Sequence, residues 1–225
     1  MTKMTSGKRD HTGLRPAKQV RSSQTLDRIL LATRDLLHEK EFEEITVAEI
    51  VQRARSSCGA FYARFPSKEA LLPALYDAYS RSLPTETTVW SDPSTWGERS
   101  LTVRVAKMVR FVIRDYRATR LFMRPLALYA RQNPRAISPE NRQLSSEKHR
   151  AACAFLLECR DEITHPDPER AVDLIAYFIP AIGRDKILFD DAPHASSVQI
   201  EDTLLEEELI RMALSYLCST PASGA

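Results

Sequence analysis

Four small residues at the front of one short predicted helix carry the first chemistry visible in this chain. Ser57, Cys58, Gly59 and Ala60 open a helix whose first-turn N–H groups, with the Ser57 hydroxyl, can donate to a phosphate. Gly59 removes the side chain that would hold such a helix away from base edges. Cys58 and Ala60 offer apolar contact to a thymine methyl but little bidentate hydrogen bonding. Arg64 is long enough to reach phosphate or base, and Thr46, at another helix start, is a further phosphate candidate. The same residues also have local roles, Thr46 and Ser57 as caps and Tyr62 as packing.

Catalytic chemistry has less support. His11, His38, His149, His165 and His194 are scattered, with no H-E-x-x-H, G-x-S-x-G or P-loop pattern. His149 and Cys153 lie four apart on one predicted helix, with Glu162 and His165 further on. They make a thin metal site at most and read as ordinary helix-surface residues. Neither a metal nor a cofactor is expected, and the chain is not expected to be an enzyme.

The elements that must position the small residues are well signalled. Thr46 is a good N-cap with Glu49 at the capping-box position, and Ile45 and Ile50 are spaced as a hydrophobic staple. Val47, Ile50, Val51 and Ala54 give that helix one apolar face. Arg55 and Ser56 form a turn, and Ser57 caps the next helix. Phe61 and Phe65 share a face that can pack on the preceding helix. Pro66 ends it, and Ser67 caps the helix that carries Leu71 and Leu72. This is the helix-turn-helix pattern, whose second helix can lie in the DNA major groove.

With Thr46 and Val47 at the first helix start, then Gly59, Tyr62, Phe65, Ser67, Lys68 and Glu69, the chain resembles the tetracycline-repressor-type (TetR-like) transcriptional regulators. The likeness is specific over about residues 22–72 and architectural beyond. It implies that Tyr62 and Lys68 contact phosphate. It also implies dimerisation through the last two helices, and an effector whose binding shifts the spacing of two DNA-binding heads. Arg64 stands where the family often has His. The family usually has Gly in the turn and a small apolar residue next, whereas this chain has Arg55 and Ser56. A non-Gly residue held at positive φ there costs roughly 1–2 kcal/mol.

The chain has 225 residues, 43% hydrophobic and 28% charged, which suits one large or two small domains of a soluble protein. A net charge of +2 excludes a polycation, but the distribution is uneven. Lys3, Lys8, Arg9, Arg15, Lys18 and Arg21 face only Asp10, so residues 1–21 read as a basic flexible arm, either a phosphate or minor-groove contact or a plain solvated tail. Cys58, Cys153, Cys159 and Cys218 lack C-x-x-C spacing, which implies reduced thiols and a cytoplasmic protein. No apolar run reaches the ~18 residues of a membrane span, and the N-terminus lacks the apolar core of a secretory signal.

A stripe of Leu26, Ile29, Leu30, Thr33 and Leu37 predicts a first helix from Ser22 or Ser23 to about Lys40. Domains are therefore expected at 22–66 (helix-turn-helix) and 67–225 (effector binding and dimerisation). In the second, Pro73 predicts a kink or break near Leu72, residues 83–95 a linker, and residues 95–116 a central helix with a basic stripe at Arg104, Lys107, Arg110, Arg114 and Arg117. Further helices cover about 120–132, 138–163 and 167 onwards. A polar loop at 190–197 precedes a last helix at about 198–218. The expected fold is all-α, with about nine helices, a three-helix N-terminal DNA-binding domain and a larger C-terminal helical domain. Phe111, Phe122, Tyr129, Phe155 and Tyr177 are candidates to line a cavity for a small-molecule effector. Phe178, Ile182, Leu205, Leu209, Met212 and Tyr216 are candidates for a homodimer interface. The function so implied is a sequence-specific DNA-binding transcriptional regulator, a repressor released from a palindromic operator by its effector. The alternative is a regulator whose C-terminal domain binds a protein partner instead.

Overall fold

The computed structural model describes residues 15–82, 100–197 and 199–219. Among these, ten α-helices and short 3-10 turns account for all regular structure. In chain order the helices are α1 (Arg15–Leu36), α2 (Val47–Arg53), α3 (Cys58–Tyr62), α4 (Leu72–Ser82), α5 (Leu101–Ala118), α6 (Arg120–Gln132), α7 (Pro139–Leu157), α8 (Pro168–Leu188), α9 (Pro193–Ser196) and α10 (Asp202–Leu217). They form two compact units that divide between Leu71 and Leu72.

Several boundaries differ from the sequence reading: α3 stops at Tyr62 rather than at Pro66, α7 at Leu157 rather than near 163, and α10 starts at Asp202 rather than near 198. Helix α1 begins at Arg15, so residues 15–21 of the expected flexible arm are helical, while residues 1–14 lie outside the described residues. Pro16 sits in the first turn, where its missing N–H breaks no helical hydrogen bond. That stretch has no apolar stripe, so periodicity could not register it. The first unit runs to Leu71 rather than Pro66, because Leu71 is fully buried and Lys68 is tied back to the segment before α2. The expected polar loop at 190–197 contains the one-turn α9, with Pro193 at its first position. The expected linker and the start of the helix placed at Thr95 fall at residues 83–99, outside the described ones.

The first unit is held by a small core in which α1 contributes Ile29, Ala32, Leu36 and Leu37, all buried. Thr33 is buried beside them without penalty because its hydroxyl donates to the Ile29 carbonyl at 2.8 Å. Phe42, Ile45, Ile50, Val51, Phe61 and Phe65 complete the core. Phe61 is entirely buried, and removing such a ring costs roughly 3–5 kcal/mol. Two ion pairs tie α2 to the segment that follows α1: Arg53 to Glu39, bidentate at 2.5 and 3.0 Å, and Lys40 to Glu49 at 2.5 Å.

In the second unit α5 is the central helix, packed against α10, α8, α7 and α6. Its Leu101, Val105, Met108, Val109 and Ile113 are buried. The expected wet basic stripe is not uniform. Arg104 is only 4% exposed, donating to the Phe155 carbonyl and the Glu158 carboxylate, both at 2.6 Å. Arg110 and Arg117 pair with Glu206 and Asp202. Gly183 marks where α8 crosses α5 closely: a Cβ there would stand 3.2 Å from Val112 and 3.4 Å from Ile113 and Tyr116. Pro125 and Pro180 lie inside α6 and α8, which continue through them. At Pro73 the expected break is present, as a 3-10 turn at Glu69–Leu71 that gives way to α4. The C-terminal carbonyls of α8 are capped from α6, by Arg120 on Ile187 (3.1 Å) and Arg124 on Leu188 (2.7 Å).

Candidate nucleic-acid interface

Helix α2 starts as its sequence dictates. The Thr46 hydroxyl accepts from the Glu49 N–H at 3.3 Å and donates to the Glu49 carboxylate at 2.8 Å, and that carboxylate accepts from the Thr46 N–H at 2.9 Å. With Lys40 as its strongest partner, followed by the two Thr46 donors, the Glu49 carboxyl is held down at about 2. The helix ends at Ala54 in a Schellman arrangement. The Ser56 N–H donates to the Val51 carbonyl (2.8 Å) and the Arg55 N–H to Gln52 (3.1 Å). That closure requires positive φ at Arg55, which stands at 48°. Arg28 from α1 donates to the Arg55 carbonyl at 3.3 Å and helps hold the turn.

The turn delivers α3 with its front outward. Ser57 caps it, accepting from the Ala60 N–H at 3.1 Å. Ser57, Cys58 and Gly59 are exposed and Ala60 is half-buried, while Phe61 and Phe65, their rings 5.5 Å apart, anchor the opposite face. Among the described residues nothing requires glycine at 59. Its backbone is helical, and a Cβ there would meet no atom nearer than the Ser57 hydroxyl oxygen at 3.9 Å. Tyr62 is 55% exposed with its ring edge-on to Phe61.

Two sequence-predicted contacts have other partners. Arg64 donates to the Ala60 carbonyl at 2.7 Å, closing the end of its own short helix. Lys68, expected at a phosphate, has its ammonium on three backbone carbonyls: Phe42 at 2.7 Å, Ile45 at 2.9 Å and Glu43 at 3.1 Å. It also lies over the Phe42 ring, 4.6 Å from the centroid. An ammonium has three protons, so Lys68 could turn to a phosphate only by abandoning carbonyls that hold the unit together.

Residues 29–75 match the model of a family described as bacterial regulatory proteins, tetR family. Over those residues the chain is TetR-like. Over 70 residues it is 34% identical to the A-factor receptor protein of Streptomyces griseus, a match that covers 31% of this chain and 25% of that protein, so the chain spans about a quarter of this curated relative's length. Its fold is similar to that of a tetR-family regulatory protein from Rhodococcus RHA1, at TM-score 0.52 and 16% identity, over 87% of this chain and 98% of the other. It is similar to a protein assigned to the TetR family from Mesorhizobium loti, at TM-score 0.52 and 15% identity, over 88% and 96%.

The second unit holds a cavity of about 430 Å³ walled by α4, α5, α6, α7 and α8. Of the five aromatics expected to line it, Phe111 and Tyr177 do. Phe122 is buried outside the lining, its ring edge-on to Tyr79 at 5.1 Å. Phe155 belongs to the core under the Arg104 guanidinium, and Tyr129 lies elsewhere on α6. The lining that sequence reasoning missed is partly polar: Tyr76, Asp115, Lys148, His149 and Arg184. Burial raises the Asp115 carboxyl, with Lys148 opposing, and burial raises the Tyr76 phenol, helped by Asp77 and opposed by Arg184. The Arg184 Nε is buried without a hydrogen-bond partner. A signal for Arg184 was available, since it follows Tyr177 and Ala181 on one face of α8 at i, i+4 and i+7.

The dimer candidates divide as well. Phe178, Ile182 and Met212 are 45%, 37% and 59% exposed. They flank an apolar groove between α8 and α10. Leu205 and Leu209 were placed on that outward stripe but are buried in the unit's own core with Ala213 and Leu217. The inward stripe steps by four residues, so Leu209 only floors the groove. Tyr216 is half-buried with its ring 4.9 Å from His165. Finally, His149 Nε2 lies 2.7 Å from an Asp173 oxygen and 3.6 Å from Cys153 Sγ. Glu162 and His165, the neighbours suggested by sequence, are placed elsewhere: the Glu162 carboxylate accepts from the Leu101 N–H at 3.0 Å, and His165 Nδ1 accepts from the Asp167 N–H at 3.0 Å.

Proposed function

We propose that this protein is a sequence-specific DNA-binding transcriptional regulator, a homodimer that represses from a palindromic operator and leaves it when a small molecule fills the cavity of the second unit. The observation that carries the reading is the front of α3. An exposed glycine that neither packing nor backbone geometry requires is best explained by close approach of something outside the chain, and a helix front of Ser57, Cys58 and Ala60 suits a groove floor. Tyr62 and Thr46 then lie among the backbone-contacting residues, with Arg64 positioning the end of α3.

The apolar groove flanked by Phe178, Ile182 and Met212 suits a twin of the same chain, and a two-fold dimer would set its recognition helices roughly 34–36 Å apart, one turn of DNA. The cavity supports a small ligand over a protein partner. Its walls are mainly aromatic and aliphatic, and the buried, unpartnered Arg184 Nε calls for an acceptor such as a carbonyl or carboxylate oxygen on the occupant. The relative named as an A-factor receptor pairs a similar head with ligand reception, which supports the same reading. The effector acts by favouring a head spacing that no longer fits the operator.

Gel shift against the DNA flanking the gene tests the DNA half, and absence of any sequence-specific complex at moderate salt rules it out. A thermal-shift screen of small acids and carbonyl compounds tests the ligand half. A true effector raises the melting temperature and dissociates the DNA complex, and loses both effects in Arg184→Met.

A further inference from the structure

We propose that His149, Cys153 and Asp173 form a binding site for a zinc-class divalent ion that clips α7 to α8. The ligand atoms of the three side chains all lie within 4.8 Å of one another. His149 and Cys153 are one turn apart on α7, and Asp173 reaches them from α8, so two consecutive helices converge on one point. In a tetrahedral site with metal–ligand bonds of about 2.0–2.3 Å, neighbouring ligand atoms stand on the order of 3.5 Å apart. The imidazole–thiol separation of 3.6 Å already meets this. The imidazole–carboxylate separation of 2.7 Å must open by under about 1 Å. The thiol–carboxylate separation, within 4.8 Å, must close by up to about 1.3 Å, and the 66%-exposed Asp173 side chain has the freedom to turn for both.

The donor set selects the ion. A thiolate disfavours magnesium and calcium, whereas imidazole, thiolate and carboxylate together suit zinc or cobalt(II). Thiolate and carboxylate carry two negative charges, which balance the dication. Without the ion, burial and the Asp173 charge hold the Cys153 thiol up and protonated. Binding therefore expels the thiol proton to solvent, and the imidazole moves its proton from Nε2 to Nδ1 to free a lone pair. Three protein ligands leave a fourth position open to water or another donor. His149 also lines the cavity, so the ion would sit in the cavity wall. The proposal stands apart from DNA binding.

The test uses the full chain, reduced and stripped of metal, titrated with cobalt(II). A thiolate-to-cobalt charge-transfer band should grow to one equivalent per chain, and zinc should abolish it. The band should disappear in Cys153→Ser and persist in a Cys58→Ser/Cys218→Ser double variant. Asp173→Asn should weaken cobalt binding by roughly tenfold or more, since even outer-shell partners are worth that much. Because Cys153 is half-buried, circular dichroism checks the fold of its variant. As a second reading, zinc should raise the melting temperature of wild type but not of Cys153→Ser. A wild-type titration with no thiolate band, or a band that survives Cys153→Ser, overturns the site and leaves a plain His–Asp pair beside a thiol.

Discussion

Replacing Gly59 by alanine separates the two reasons a glycine can occupy the front of α3. Were the glycine there for the fold, a methyl would strain the backbone or strike a neighbour. The structure provides room, since the nearest atom to the new Cβ is the Ser57 hydroxyl oxygen at 3.9 Å, an ordinary contact. Alanine is worth up to about 0.8–1.0 kcal/mol over glycine inside a helix, and a first-turn position keeps part of that, so Gly59→Ala should stabilise the protein by about 0.5–1 kcal/mol. A rise of roughly 1–4 °C in melting temperature is the corresponding reading. On DNA the sign reverses. A methyl forced into a close-packed contact costs about 1–3 kcal/mol, which is about five- to 150-fold in Kd. Anisotropy titration against the operator fragment, alongside thermal unfolding, measures both effects on one preparation. Gly59→Leu should abolish specific binding with the helical signal unchanged. If Gly59→Ala lowers the melting temperature, the glycine serves the fold. If Gly59→Leu binds the operator like wild type, α3 does not lie front-first against DNA.

Arg55→Gly should stabilise the first unit by about 1 kcal/mol, because only the φ of 48° opposes the present residue, while Arg55→Val should destabilise it; urea unfolding distinguishes the two. Lys68→Met should cost about 2 kcal/mol of stability by leaving the Phe42, Glu43 and Ile45 carbonyls without their shared donor. The salt dependence of DNA binding should nevertheless keep its wild-type slope, and a slope reduced by about one unit would restore Lys68 as a phosphate contact. Glu49 has a carboxyl lowered from 4.5 to about 2, so its stabilising contribution is complete above the unfolded value and is lost as pH falls through the range from 4.5 to 2. Melting temperature followed over that range should fall less steeply in Glu49→Gln than in wild type.

What the amino-acid sequence determined by itself is local. Thr46 with Glu49, Ser57, Ser138-Pro139 and Asp167-Pro168 act on the backbone within one turn, so caps and helix starts were legible before any packing. The outward face of α3 followed from Phe61 and Phe65, because a short helix with one apolar face has only one way to lie. Arg55 at positive φ was also readable, since a Schellman closure demands that geometry of whatever residue occupies the position.

Tertiary structure decided which long side chains are already engaged and which apolar stripe turns inward. Lys68 has the composition of a nucleic-acid contact, but its partners are carbonyls more than twenty residues away that folding brings near. Helix α10 is apolar on two faces, and only its packing on α5 and α8 buried Leu205 and Leu209 while leaving Met212 outside. The polar groups of the cavity, and the meeting of Asp173 with His149 and Cys153, arise where helices cross. Periodicity fixes a helix's face but not its neighbours, so a pattern within one helix could set Arg184 beside Tyr177 but could not reveal what meets them.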